Sequence, residues 1–348
     1  MTRRSQRSEA GTPLGPILRR RAALVVLLLA VFGALVSQVA AQEQDPRVAA
    51  VEENLWRVIQ VRGRSPEARS IQERMDHYDV PGVSIAVLDH GEIAWAKAYG
   101  VRNGDPGTPE SGRPVYVPTL FQAASISKPV AAVAALRLVE KGVIELDRPV
   151  NDYLVSWKIS DNRFTRDTPV TLRHLLSHTG GLTVHGFPGY AVDARVPTTI
   201  QVLRGSGPAN TDPIKADTVP GSIWRYSGGG YTVVQQLLED VTGTPFPQLM
   251  RELVLDRAGM SLSTYEQPLP PSRASEGAHS HLSDGTGGDG PWHVYPEMAA
   301  AGLWTNPTEL ARLAMDLQAS YHGEEGRLLS PEMTRTMLTP VRAGYGLG

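Results

Sequence analysis

The sequence predicts an α+β protein in which a short β-hairpin near the N-terminus precedes a mostly helical remainder. Val83 to Leu88 and Glu92 to Tyr99 are apolar-rich segments separated by Asp89-His90-Gly91, which indicates two antiparallel strands and a turn. The run from Val130 to Val139 is apolar on nearly all sides, which is typical of a buried helix. Because residues 100–348 show few further strands and a lone hairpin is marginally stable, the hairpin is expected to need partner strands.

The first 41 residues have the pattern of a secretory signal peptide. Six arginines precede an apolar run from Ala22 to Val36, and the small residues Val39-Ala40-Ala41 follow it. This pattern predicts cleavage after Ala41 and a periplasmic or secreted mature domain, residues 42–348. The alternative is an uncleaved membrane anchor, for which the apolar run is marginal because polar residues lie near its end.

Composition narrows the classes of function. The hydrophobic content of 41% and the charged content of 20% are those of a globular protein. The net charge is -2, and the arginines of the first segment conceal an acidic remainder, which argues against nucleic-acid binding. The chain has no cysteine, and its histidines lack the spacing of a zinc protease, so we expect neither a metal nor a cofactor. The oligomeric state is left open.

A first candidate catalytic pair lies at the start of the buried helix. Ser125 precedes Lys128 by three residues, and residues at this spacing share one face of a helix. A desolvated lysine can accept the proton of a serine hydroxyl, and a helix N-terminus favours a developing negative charge. A single Ser-x-x-Lys also arises by chance in a chain of this length, so the pattern leaves a structural interpretation open.

Tyr226 is the second candidate, in the tripeptide Tyr226-Ser227-Gly228 just before another predicted helix. A tyrosine near a lysine can relay a proton. The alternative is a turn tyrosine that packs on the edge of the core.

These motifs occur in segments that resemble the penicillin-recognising serine hydrolases, most closely the branch of class C β-lactamases, D-alanyl-D-alanine carboxypeptidases and related esterases. The segments follow the order of that family and span roughly residues 70–348. They are Phe121–Lys128, Leu172–Leu182, Tyr226–Tyr231 and, more weakly, Ala300–Trp304.

The resemblance implies an α/β (α+β) fold of the β-lactamase/transpeptidase type. An antiparallel sheet with helices on its faces would lie beside a mostly helical domain, with the active site between them. Ser125 would be the acylated nucleophile, Lys128 its base partner and Tyr226 a proton relay. The backbone N–H of Ser125 would be one donor to the oxyanion.

The sequence departs from the family at two motifs. Gly228 stands where the middle motif, Tyr-x-Asn, has its asparagine, which makes amide substrates less expected. The third motif, Lys-Thr-Gly or His-x-Gly on a late strand, is absent. His178-Thr179-Gly180 spells it but precedes Tyr226, and is interpreted as a structural turn. The missing C-terminal strands predict that residues 42–348 are an incomplete domain.

Three functional hypotheses follow. The first is an exported serine hydrolase that acts through a Ser125 acyl-enzyme on an ester, a D-Ala-type peptide or a β-lactam. The second is a non-catalytic penicillin-binding-type protein that binds cell-wall peptide or a partner. The third is a fragment of a longer active enzyme. The expected partner is a small-molecule or peptide substrate, and a membrane only if the N-terminal segment stays uncleaved.

Overall fold

The computed structural model describes residues 46–57, 59, 61–63, 67–105 and 111–348. The predicted signal peptide, residues 1–41, lies outside the described residues. Within those ranges no helix has the length and apolar character needed to span a bilayer. The chain divides into two compact units, Met1–Ile71 and Gln72–Gly348, and every motif segment lies in the second.

Ten α-helices and eight strands are assigned in the described part of the chain. The helices are α1 (Pro46–Glu53), α2 (Ile71–His77), α3 (Ser127–Glu140), α4 (Leu172–Leu176), α5 (Thr199–Arg204), α6 (Gly228–Thr242), α7 (Phe246–Met250), α8 (Met298–Ala301), α9 (Pro307–Tyr321) and α10 (Pro331–Leu338). The strands are β1 (Leu55–Trp56), β2 (Ala68–Arg69), β3 (Gly82–Asp89), β4 (Glu92–Gly100), β5 (Phe121–Gln122), β6 (Tyr190–Ala191), β7 (His293–Val294) and β8 (Trp304–Thr305).

The predicted hairpin is confirmed. Strands β3 and β4 pair antiparallel with Gly82 opposite Gly100, and the register shifts between Val87 and Leu88. His90 and Gly91 at the turn both have positive φ, 51° and 78°, as hairpin turns of this length require. Helix α9 packs on both strands.

The larger antiparallel sheet is not formed among the described residues. The strands there make four separate two-stranded sheets, β1–β2, β3–β4, β5–β8 and β6–β7. Apart from the hairpin, each strand is two residues long, and most of residues 121–348 are helices and loops. The expectation of a flanked sheet is therefore met only by the hairpin and α9.

The predicted buried helix is confirmed as α3, and it lies at the centre of the main hydrophobic core. Every residue from Val130 to Leu136 is at most 1% exposed. Helices α6 and α8 contact α3, and side chains of α6 complete the same core. A helix that is apolar all round can be stable in water only when neighbours cover every face. The tip of α3 is consequently a rigid support for the residues that begin it.

Candidate active site

Ser125 and Lys128 meet at the N-terminal tip of α3. Lys128 Nζ donates a hydrogen bond of 3.0 Å to Ser125 Oγ. The two residues differ in exposure, because Ser125 is exposed to solvent whereas Lys128 is 3% exposed. An incoming molecule can thus reach the hydroxyl while the amine stays within the protein.

The backbone before Ser125 is held in an unusual conformation. Ala124 has φ of +43°, in the left-handed region that non-glycine residues rarely adopt. Ser127, three residues after Ala124, fixes this turn, since its Oγ donates to Ala124 O at 2.5 Å and accepts from Leu303 N at 2.9 Å. Tyr265 adds a third restraint by donating its hydroxyl to Ser127 O at 2.7 Å. Backbone strain that is fixed in this way commonly occurs at functional sites.

The surroundings of Lys128 favour its neutral form. Burial lowers the pKa of Lys128, and the hydrogen bond and charge of Tyr226 act in the opposite direction. Besides Ser125, Nζ donates to Ala300 O in α8 at 2.8 Å. The amine also lies 4.9 Å from the centroid of the Tyr226 ring and 5.8 Å from that of Tyr231. Lys128 therefore joins the nucleophile candidate to the tyrosine motif.

Tyr226 stands directly before α6, and its neighbour Ser227 caps that helix. Ser227 Oγ accepts from Gly230 N at 2.9 Å and donates to Thr183 O at 2.9 Å. Tyr226 is half-buried beside Lys128. The structure thus brings together all three residues that the sequence singled out, although about a hundred positions separate Tyr226 from the other two.

His178 belongs to the same cluster, which the sequence analysis did not anticipate. Its ring centroid lies 4.3 Å from that of Tyr226, and the side chain is 2% exposed. The segment is a turn, as interpreted, with φ of 58° at His178. The turn additionally places the imidazole against the tyrosine. The signal in the sequence was a histidine directly after a short apolar helix, within His178-Thr179-Gly180-Gly181.

The space beside Gly228 is filled by another side chain. A Cβ at Gly228 would lie 3.0 Å from Phe187 Cε2 and 3.1 Å from His185 O. The segment carrying both residues is hydrogen-bonded to the start of α6, because Gly228 N donates to His185 O at 2.9 Å and Gly229 N to Val184 O at 3.0 Å. Glycine at this position is therefore matched to the ring of Phe187.

The described residues hold no group of three or more histidine, aspartate or glutamate side chains placed to bind a metal ion. A buried lysine that loses its proton can accept the proton of Ser125 and return it to a departing group, with Tyr226 beside it as a second proton carrier.

Comparison with known proteins identifies the family. The model of the family described as Beta-lactamase matches residues 68–348. Esterase EstB of Burkholderia gladioli is 33% identical over 192 residues, which cover 51% of this chain and 45% of the esterase. Unguisins hydrolase ungD of Aspergillus violaceofuscus is 28% identical over 249 residues, 67% of this chain and 41% of that hydrolase. The chain thus matches less than half the length of these relatives.

Solved structures show the same fold. The octameric penicillin-binding protein homologue from Pyrococcus abyssi superposes with a TM-score of 0.60 at 26% identity, over 77% of this chain and 58% of the homologue. A class C β-lactamase from Rhodobacter sphaeroides superposes with a TM-score of 0.56 at 19% identity, over 76% of this chain and 68% of the lactamase, which supports the fold. With the family match over residues 68–348, the chain belongs to the Beta-lactamase family of serine hydrolases and has its α/β fold.

Proposed function

We propose that this protein is an exported serine hydrolase that cleaves carboxylic esters through an acyl-enzyme on Ser125. The observation that carries the proposal is the contact of 3.0 Å between the exposed Ser125 Oγ and the buried Lys128 Nζ. Export is supported by the signal-peptide pattern of residues 1–41.

The acylation step uses Lys128 as the base. Neutral Lys128 takes the proton of Ser125 as Oγ attacks the ester carbonyl carbon, and the carbonyl oxygen becomes an oxyanion. The backbone N–H of Ser125, at the tip of α3, is one donor available to that oxyanion. When the carbon–oxygen bond to the alcohol breaks, the alcohol leaves with the proton held by Lys128, directly or through Tyr226.

Deacylation repeats the sequence with water. Lys128 accepts a proton from a water molecule, directly or relayed through Tyr226, as the oxygen of the water attacks the acyl carbon. The acid is released when Ser125 Oγ takes back a proton. The lowered pKa of Lys128 supports both halves, because a neutral amine is required at the start of each.

Esters are favoured over amides and β-lactams by the side chains around the tyrosine motif. Gly228 provides no side-chain amide, and the ring of Phe187 fills the adjoining space. The side-chain amide of Gln122 is close to Ser125 in sequence, but it is already engaged by the protein backbone. Its nitrogen donates to the carbonyl oxygen of His293 at 2.6 Å. The similarity to an esterase of Burkholderia gladioli supports the same choice.

The proposal is tested by steady-state hydrolysis of three substrates: p-nitrophenyl butyrate, the matching p-nitroanilide and a chromogenic cephalosporin. We expect turnover of the ester to exceed that of the other two, and Ser125→Ala to abolish it. Faster turnover of the cephalosporin or the anilide would reject the ester preference. If none of the three is turned over by the folded protein, the non-catalytic alternative, a penicillin-binding-type protein that binds cell-wall peptide or a partner, is favoured.

A further inference from the structure

His178 holds the backbone on both sides of Tyr226. Its carbonyl oxygen accepts from Arg225 N at 2.9 Å, and its ring Nδ1 accepts from Ser227 N at 3.1 Å. The residues immediately before and after Tyr226 are therefore both hydrogen-bonded to one residue, which lies 49 positions from Ser227. Since the ring of His178 also packs on that of Tyr226, the tyrosine is restrained by three contacts.

The imidazole does this without carrying charge. Burial is the largest cause that lowers the pKa of His178 to about 3, with smaller electrostatic contributions from Lys128 and His185. Acceptance of a hydrogen bond at Nδ1 places the single ring hydrogen on Nε2. Nε2 is buried and has no hydrogen-bond partner among the described residues, so the side chain is anchored through Nδ1.

The position of Tyr226 matters because its ring also lies close to Lys128. Lys128 Nζ, 4.9 Å from the centre of the Tyr226 ring, is also the amine that reaches Ser125. The other ionisable groups around His178 are His185, whose ring is 5.0 Å from that of Tyr226, and the phenols of Tyr231 and Tyr345. Among these groups, Lys128 is the one that contacts Ser125. A displacement of Tyr226 would therefore affect the reaction through Lys128.

We propose that His178 is a positioning residue for the acylation of Ser125, which it assists by fixing Tyr226 against Lys128 through the two backbone hydrogen bonds and the ring contact. The inference rests on the proposed serine-hydrolase function. It assigns a role in the reaction to a segment that the sequence presents as a turn.

Two substitutions separate the contacts. His178→Asn keeps an acceptor near the place of Nδ1 and tolerates a positive φ, but removes the ring. His178→Phe keeps a ring and removes the acceptor. Because misplacement of a catalytic group by about 1 Å can cost about 10²-fold in rate, we expect His178→Phe to lower the acylation rate by about that factor and His178→Asn to lower it less. The exposed His322, substituted by Asn, is the matched control and is expected to leave the rate unchanged.

The deciding experiment is a double-mutant cycle with Tyr226→Phe. The acylation rate of the purified protein by p-nitrophenyl butyrate is measured by rapid quench and intact mass, and thermal melting identifies the variants that fold. The cycle uses whichever His178 variant is folded. If His178 acts through Tyr226, its substitution changes the rate by no more than about twofold once the hydroxyl of Tyr226 is gone.

Two results would overturn the inference in different ways. Equal losses from the His178 substitution in both backgrounds, with normal acylation of the wild type, would show that His178 does not act through Tyr226 and would leave the hydrolase function standing. Absence of any Ser125-dependent acylation of the wild type would reject the proposed function, and the role of His178 with it.

Discussion

Replacing Gly228 by asparagine is expected to lower the free energy of unfolding by about 1–3 kcal/mol, the usual cost of overpacking. The Cβ of any side chain there would lie 3.0 Å from Phe187 Cε2 and 3.1 Å from the carbonyl oxygen of His185. The ring could move by a few tenths of an ångström for alanine, but asparagine adds three more heavy atoms. Gly228→Ala is the matched control, because it adds the Cβ without the three further atoms.

The cause of that destabilisation can be isolated by removing the ring. Phe187→Ala should cost about 2 kcal/mol, less than a fully buried phenylalanine, because Phe187 is half-buried. The double variant Phe187→Ala with Gly228→Asn should be more stable than the sum of the two single changes by about 1–2 kcal/mol, since the amide enters the vacated space. Equilibrium denaturation in urea measures all four proteins. Additivity within about 0.5 kcal/mol, or a Gly228→Asn variant as stable as the wild type, would refute the packing argument.

Three further predictions concern buried ionisable groups. Lys128→Met should lower the acylation rate by about 10³-fold and raise the melting temperature. Its stability gain should shrink as the pH rises from the lowered pKa of the lysine towards 10.5, because in that interval the folded protein holds a neutral amine while the unfolded chain is still protonated. Burial raises the pKa of Glu297 from 4.5 to about 7, and both carboxylate oxygens lack hydrogen-bond partners among the described residues. Glu297→Gln should therefore stabilise the protein by about 3 kcal/mol above pH 7 and not at all below pH 4.5. Melting curves of wild type and variant at pH 4 and pH 8 check this, and an equal gain at both would contradict it. The pKa of His178, lowered from 6.5 to about 3, predicts that the free energy of unfolding falls by about 5 kcal/mol as the pH falls through that interval. His178→Asn should abolish this loss in acid unfolding curves, and an unchanged acid transition would disprove it.

Local patterns in the sequence predicted the parts of the site that depend on neighbours in the chain. The spacing of Ser125 and Lys128 on one helical turn predicted their contact, and the apolar run behind them predicted a buried helix. The cap of α9 is also local: in the pattern Asn-Pro-x-Glu, Asn306 Oδ1 accepts from Glu309 N at 3.0 Å. These features depend on spacings of three or four residues, at which the helix repeat fixes the geometry.

Contacts between distant segments were beyond such patterns. The bond between His178 and Ser227 joins positions 49 apart, and the ring of Phe187 meets Gly228 across 41 positions. The missing amide at Gly228 could be read from the sequence, but not the side chain that fills its place. Strands of two residues, such as β5 and β8, carry no periodicity and are defined by the pairing of Phe121 with Thr305 and of Gln122 with Trp304.

The most direct test of the account is the identification of the acylated residue. The protein is incubated with p-nitrophenyl butyrate, quenched in acid within the first turnover, digested and sequenced by mass spectrometry. A butyryl group on Ser125 that is absent from Ser125→Ala, and that accumulates more slowly in Lys128→Met, is the predicted result. Labelling of another residue, or a label that survives in Ser125→Ala, would contradict the assignment of Ser125 as the nucleophile.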